Sequence, residues 1–155
     1  MEKTYLNSKE DIPVSLRNNN PGNIKLTNDK WMGQVPREQT TNNVFAQFKS
    51  VLWGIRAMMT IIANYIVRLN IVDIKGLVKT YDKTNNTGYY NFLVSMGHKE
   101  LPKTKEEFVK LVYDMITFEN GYKVRNFIDT NDIVNGYARV RWDLMNEYFK
   151  KVNKL

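Results

Sequence analysis

One carboxylate stands where a carboxylate is least comfortable. Counting along the helical pattern that begins near Thr104, Phe108 is followed at +4 by Val112, at +7 by Met115, at +8 by Ile116 and at +11 by Glu119. Glu119 therefore continues the apolar stripe. It also lies at the helix C-terminus, where the dipole disfavours negative charge. Burial and that dipole both push a carboxyl group toward its neutral form. A protonated acid held near neutral pH is what cleavage of a glycosidic bond requires of its general acid. The same position also fits a frayed helix end, with the Glu119 side chain turned to water and Gly121 acting as a left-handed cap.

Arg17-Asn18-Asn19-Asn20-Pro21-Gly22-Asn23-Ile24-Lys25 is the second segment with chemical potential. Pro-Gly makes a turn. The amides of Asn19, Asn20 and Asn23 offer donors and an acceptor each, which suits hydroxyl and acetamido groups of a sugar; turn formation alone accounts for them equally. Trp31 has polar, turn-forming neighbours and reads as a sugar platform or a core residue, and Trp53 more readily as core. For a second carboxylate, Asp29, Asp82 and Asp129 are available, each also a natural turn or cap residue.

Other chemistries are excluded by residue counts. There is no cysteine, so disulfides, thiol catalysis and thiolate-bound metals are ruled out. The single histidine, His98, leaves a two-histidine zinc site impossible. No metal and no organic cofactor is implied.

These residues need elements to hold them. At 155 residues with 43% apolar content, one domain with a real core is expected. Residues 1–16 read as a flexible, polar lead-in. Residues 17–48 carry short apolar alternations, Ile24/Leu26 and Val44 to Phe48, which predict a small β-hairpin over 22–48. From 49 to 155 the period becomes helical. Val51, Leu52, Ile55, Met58, Met59, Ile62, Tyr65, Ile66 and Leu69 define a central amphipathic helix. Shorter helices are predicted over Ile74–Thr80 and Thr87–Ser95. Thr104 to Glu107 forms a capping box opening the helix that ends at Glu119. A final helix is predicted over Thr130–Val152. The resulting class is mainly α with a small β-hairpin, an α+β domain.

The net charge is +7, with 16 Lys and 19 Asn. An AT-rich genome and a solvated surface account for that bias; attraction to a polyanion is the functional reading. No basic run exceeds Lys150-Lys151, which argues against nucleic acid as the partner. The N-terminus lacks an apolar signal segment, and the most apolar stretch, Val51 to Leu69, is interrupted by Arg56, Asn64 and Arg68, so neither a signal peptide nor a membrane span is expected.

Taken with Trp31-x-Gly33, Phe45-Ala-Gln-Phe48 and Gly54-Ile-Arg-Ala57, the Arg17–Ile24 segment resembles a family of bacteriophage virion proteins. Tyr81 to Tyr90 is similar to that family's middle segment, without its usual Trp-Ala-Pro. Met115-Ile-Thr-Phe-Glu-Asn-Gly121 resembles its late His-Glu-Asn-Gly helix, with Phe118 in place of the His. The Asn19–Lys25 segment, Trp31-Met-Gly33 and the Glu119 helix also resemble, in permuted order, parts of cell-wall glucosaminidases and lytic transglycosylases of the lysozyme superfamily.

The second resemblance implies a circularly permuted lysozyme-like fold that brings Glu119 over the Asn19–Lys25 loop. It further implies a phage peptidoglycan glycosidase (muramidase, glucosaminidase or lytic transglycosylase) that cuts the β-1,4 glycan backbone. Glu119 would be the general acid, with Asn19, Asn20, Asn23, Trp31 and Asp82 binding substrate. The alternative is a non-catalytic virion structural or cell-wall-binding protein. Either way the expected partners are peptidoglycan glycan strands and other virion proteins. The expected place is the phage virion or the host cytoplasm, with action on the host cell wall.

Overall fold

A computed structural model describes residues 1–84 and 86–155; Asn85, in the middle motif, lies outside them. Among the described residues six α-helices carry the architecture: α1 (Val51–Leu69), α2 (Ile74–Tyr81), α3 (Asn86–Ser95), α4 (Lys105–Asn120), α5 (Thr130–Tyr137) and α6 (Trp142–Val152). α1 packs against α2, α5 and α6, and α4 against α3 and α5.

The α1 sequence dictates its role as hub. Its apolar residues recur at three and four, so one side faces inward from Val51 to Ile66. Ile55, Met58, Met59, Ile62 and Ile66 are fully buried. The helix stops where Asn70 takes a left-handed conformation, which Asn tolerates better than other non-glycine residues. By length and composition α1 would suffice to cross a membrane; here its apolar side is packed into the helical body.

α4 starts as its sequence predicts. The Thr104 hydroxyl accepts the Glu107 N–H at 3.2 Å, while Glu107 reaches back to the Lys103 N–H at 3.4 Å. Thr104→Ala is expected to lower stability by about 1 kcal/mol, measured by urea unfolding. A loss below about 0.3 kcal/mol would show that packing of Phe108 and Leu111 alone fixes the start of α4.

Three expectations need correction. The first is the α+β class. Among the described residues there is no strand, only isolated bridges between Lys25 and Phe45 and between Gln34 and Phe48. The two segments do run side by side: Leu26 N–H donates to Val44 O and Ala46 N–H to Ile24 O. A ladder fails to extend because side-chain amides occupy its bonding groups. Asn20 takes the Ile24 N–H and donates to Ile24 O and Ala46 O. Asn42 takes the N–H groups of Val44 and Phe45. The expected hairpin over 22–48 is thus an amide-braced loop on a helical body, and the permuted lysozyme-like fold falls with it.

The second correction is the final helix, which is two: α5 ends at Tyr137 and α6 begins at Trp142. The third is Gly121: its φ of 83° is the positive value expected of a cap glycine, but ψ 163° departs from the left-handed α geometry.

The lead-in is tied down. Lys3 O accepts the Val51 N–H, the Lys3 ammonium pairs with Asp132 at 2.7 Å, and the Tyr5 hydroxyl donates to Phe127 O at 2.9 Å. Leu16, in a short 3-10 turn over Val14–Asn18, is fully buried.

Candidate functional site

The Arg17–Lys25 loop and the C-terminal end of α4 meet. Three contacts make the junction. Asn23, in a left-handed conformation, donates from its side-chain amide to Glu119 Oε1 at 3.1 Å. Asn120 donates to Pro21 O at 2.8 Å. The Ser15 hydroxyl donates to the Asn120 side-chain oxygen. The helix end thus delivers two consecutive polar side chains to one loop, separated from it by about a hundred residues of sequence.

Two tyrosines close the cluster. Tyr81, at the end of α2, donates its hydroxyl to Gly22 O at 2.6 Å. Tyr89 on α3 is fully buried, donates to Met115 O at 3.3 Å and stacks on Phe118 with ring centroids 4.1 Å apart. Neither tyrosine was singled out by sequence reasoning. The available signal was the resemblance of the Tyr81–Tyr90 segment to a motif of the same family.

Burial raises the Glu119 carboxyl above its ordinary value, and the negative charge of Asp82 adds to that; the hydrogen bond from Asn23 partly opposes it. Glu119 Oε2 is buried without a hydrogen-bond partner. The side chain is therefore turned inward, not out to water. Asp82 is close enough for its charge to be felt at Glu119, and its Oδ1 accepts the Thr84 N–H at 2.9 Å and the Thr84 hydroxyl at 2.8 Å.

A raised carboxyl pKa has a stability consequence of definite sign. Between the unfolded and folded values, the folded state holds a proton that the unfolded chain has released, so stability falls as pH rises through that window. Glu119→Gln removes the loss while keeping the acceptor for Asn23. The variant's stability relative to wild type should therefore grow from pH 4 to pH 8 in urea titrations. A difference that stays constant with pH would show that Glu119 ionises in the fold as it does in water.

The other asparagines are spent on architecture. Asn19 is fully buried: its two amide hydrogens go to Thr4 Oγ1 and Phe48 O, and its oxygen takes the Tyr5 N–H. Asn20, 1% exposed, bridges Ile24 and Ala46 as described. Both use all their donors internally. Only Asn23 of the three reaches Glu119.

Trp31 lies elsewhere. It is half-buried and lines a groove of about 400 Å³ together with Asn28, Asp29, Lys30, Gln34, Arg37 and Glu38 among others. Its backbone is fixed locally: its N–H donates to Gln34 Oε1 at 2.9 Å and its carbonyl accepts the Gln34 N–H. Gly33 explains the Trp-x-Gly spacing. It has φ +74°, and a β-carbon there would stand 2.2 Å from Trp53 Cγ. Trp53 packs over that glycine, in keeping with its reading as core. None of the four described cavities is lined by Glu119 or Asn23.

His98, the single histidine, belongs to a different cluster. Its Nε2 lies 2.5 Å from Asp114 Oδ2, and both residues are buried. Lys110 and Arg125 complete the set, at 3.0 and 2.7 Å from the same carboxylate. Asp114 was missed by sequence reasoning; its signal was the i,i+4 spacing from Lys110 beside the apolar stripe. Among the described residues no group of acidic, histidine or cysteine side chains is placed to hold a metal ion.

No family model matches this chain. It is 33% identical over 114 residues to Protein P5 of Pseudoalteromonas phage PM2, an alignment covering 68% of this chain and 70% of that protein. That identity, sustained over two thirds of both chains, makes this chain a member of the bacteriophage protein family to which Protein P5 of phage PM2 belongs.

Proposed function

We propose that the chain serves a phage particle as a structural component that binds cell-wall glycan without cutting it. The observation that carries this reading is the Trp31 groove. A pyranose ring presents an apolar C–H face and a rim of hydroxyls. An indole flanked by planar amide, carboxylate and guanidinium groups matches both. The Trp31 backbone is held by the Gln34 side chain and N–H, which lowers the ordering cost at that residue. The Asn19 and Asn20 amides, by contrast, are already committed inside the fold.

The test is co-sedimentation with purified peptidoglycan sacculi. Wild type pellets with them without lowering their turbidity. Trp31→Ala loses at least tenfold in apparent affinity, as truncating a central aromatic contact does. Wild-type pelleting by Trp31→Ala, with its melting temperature unchanged, overturns the groove assignment.

A second reading rests on a specific observation, the half-buried Glu119 whose enclosed Oε2 lacks a partner and whose carboxyl is pushed toward the neutral form. In that reading the cluster opens to admit a glycan strand. Glu119, oriented by Asn23, then protonates the leaving oxygen as the C1–O bond breaks, and water adds to C1 and returns a proton to the Glu119 carboxylate, with Asp82 the neighbouring carboxylate. Clearing of sacculi by wild type, lost about 10²–10⁴-fold in Glu119→Gln and kept in Glu107→Gln, selects cleavage over binding alone.

A further inference from the structure

We infer that the hollow between the N-terminal segment, α1 and α5 binds the free carboxylate of a cell-wall stem peptide through Arg139 and Arg56. The inference rests on the wall-binding reading above and adds a second contact to it. The hollow measures about 450 Å³, with Glu2, Lys3, Leu52, Asp132 and Arg139 among its walls, and it shares no lining residue with the Trp31 groove.

Arg56 is the unusual residue here. It is 6% exposed, yet among the described residues no carboxylate pairs with it. Its Nε donates to Arg139 O at 3.3 Å. Its Nη1 and Nη2 atoms have no described partner, and neither is sealed from solvent. Burial and the nearby Arg141 charge both lower its pKa, the sign expected of a cation that has lost water and gained no acid. Buried charges are ordinarily paired, so the missing half of this pair is expected from outside the chain. Leu52, one turn back on α1, and Arg139 both line the hollow, so Arg56 borders it. Arg139 is exposed and is likewise absent from the described ion pairs.

The charges around the hollow select the ligand. Both acids are engaged already: Asp132 by Lys3 and the Asp129 N–H, and Glu2 by the Ser50 hydroxyl at 2.8 Å. Arg141 is paired with Asp143 at 2.7 Å. Lys3, Arg56 and Arg139 set against Glu2 and Asp132 leave a single surplus positive charge. A carboxylate matches that surplus, whereas a phosphate dianion would bring a second negative charge toward Glu2 and Asp132. A guanidinium fork meets a carboxylate through two parallel N–H bonds. N-acetylated glycan alone is neutral and would leave Arg56 unanswered; the peptides that hang from it carry free carboxylates.

The test is NMR titration of the full chain with N-acetyl-L-alanyl-D-isoglutamine, a sugar-free stem fragment whose one charge is a carboxylate, against the same fragment with that carboxyl amidated. The acid should bind saturably and shift the amide signals of Asn135 and Arg139. The amidated form should bind at least about tenfold more weakly, the loss of one charge-assisted contact. Arg139→Gln, at an exposed position, should keep the wild-type melting temperature and lose affinity for the acid to a similar extent. Arg56→Gln should do the same, and Arg56→Lys, which restores the charge without the fork, should recover part of the loss. Trp31→Ala should bind the fragment as wild type does, which separates failure here from failure of the groove assignment. Absence of saturable binding overturns the proposal, as do equal affinities for acid and amide or wild-type affinity in Arg139→Gln. Displacement of the fragment by inorganic phosphate at concentrations where acetate has no effect assigns the hollow to a phosphate ligand and overturns it as well.

Discussion

Asp114→Ala should lower stability by about 3–5 kcal/mol, the cost of removing one partner from a buried charge cluster. The carboxylate is 2% exposed and receives His98, Lys110 and Arg125 at once. Lys110 also donates to Met96 O at 2.7 Å, and Arg125 donates to Thr117 and lies over the Tyr113 ring. One side chain therefore holds the chain after α3, the middle of α4 and the 3-10 turn at Tyr122–Asn126. Lys110 and Arg125 are partly exposed and can turn to water, which places the expected loss nearer the lower end. Burial alone would raise the Asp114 carboxyl, but hydrogen bonds from His98 and Lys110 and the Lys110 charge outweigh it and hold the group below its ordinary value. Its contribution is therefore complete above the usual carboxylate range and is lost as pH falls through the lowered value, opposite in sign to that of Glu119. Equilibrium unfolding of Asp114→Ala and wild type from pH 3 to pH 7 measures both effects. A loss under 1 kcal/mol at pH 7 would show that the cluster is neutral to stability.

Gly54→Ala should be comparably severe. A β-carbon at Gly54 would stand 1.9 Å from Asn19 O, a backbone atom. That carbonyl has little room to retreat, since Asn19 is anchored through its side chain to Thr4, Tyr5 and Phe48. Overpacking usually costs about 1–3 kcal/mol; a clash with braced backbone belongs at or above the top of that range. For a chain of this size the melting temperature should drop by about 6–12 °C. A melt within about 2 °C of wild type would mean that α1 and the asparagine loop slide apart easily. The Gly54-Ile-Arg-Ala motif is thus explained by contact: its glycine admits the loop of the Arg-Asn-Asn-Asn-Pro motif, and its arginine is buried and reaches Arg139 O.

What could be read from the sequence was what repeats or caps. α1 is legible because nine apolar residues keep one phase, and α4 because Thr104 and Glu107 mark its start. The division of α5 from α6 is hidden because Val140 continues the spacing of Ile133 and Tyr137 through the break, with no proline to mark it. The loop over 22–48 was misread because alternation reports which side chains face inward, and it does so equally for a strand and for an extended segment braced by Asn20 and Asn42. The loop and the Glu119 helix end were expected to meet across a concave pocket of a permuted lysozyme-like fold; they touch through Asn23 and Asn120, but that fold is absent and none of the described cavities is lined by Asn23 or Glu119. The full internal use of Asn19 and Asn20 was not, because residue type shows that an amide has donors and says nothing of what they face.

The asparagine bracing has a consequence for dynamics. Segments without regular secondary structure ordinarily exchange their amide hydrogens quickly, through small local openings. Here the Ile24 N–H is closed by Asn20, the Tyr5 N–H by Asn19 and the Phe48 N–H by Asn18 O, while Asn19 in turn lies against α1. Freeing any of these hydrogens disturbs several long-range bonds at once. The loop should therefore exchange in the same cooperative unit as the helical core, with protection approaching that of Ile62, and a protease should find it as resistant as a helix.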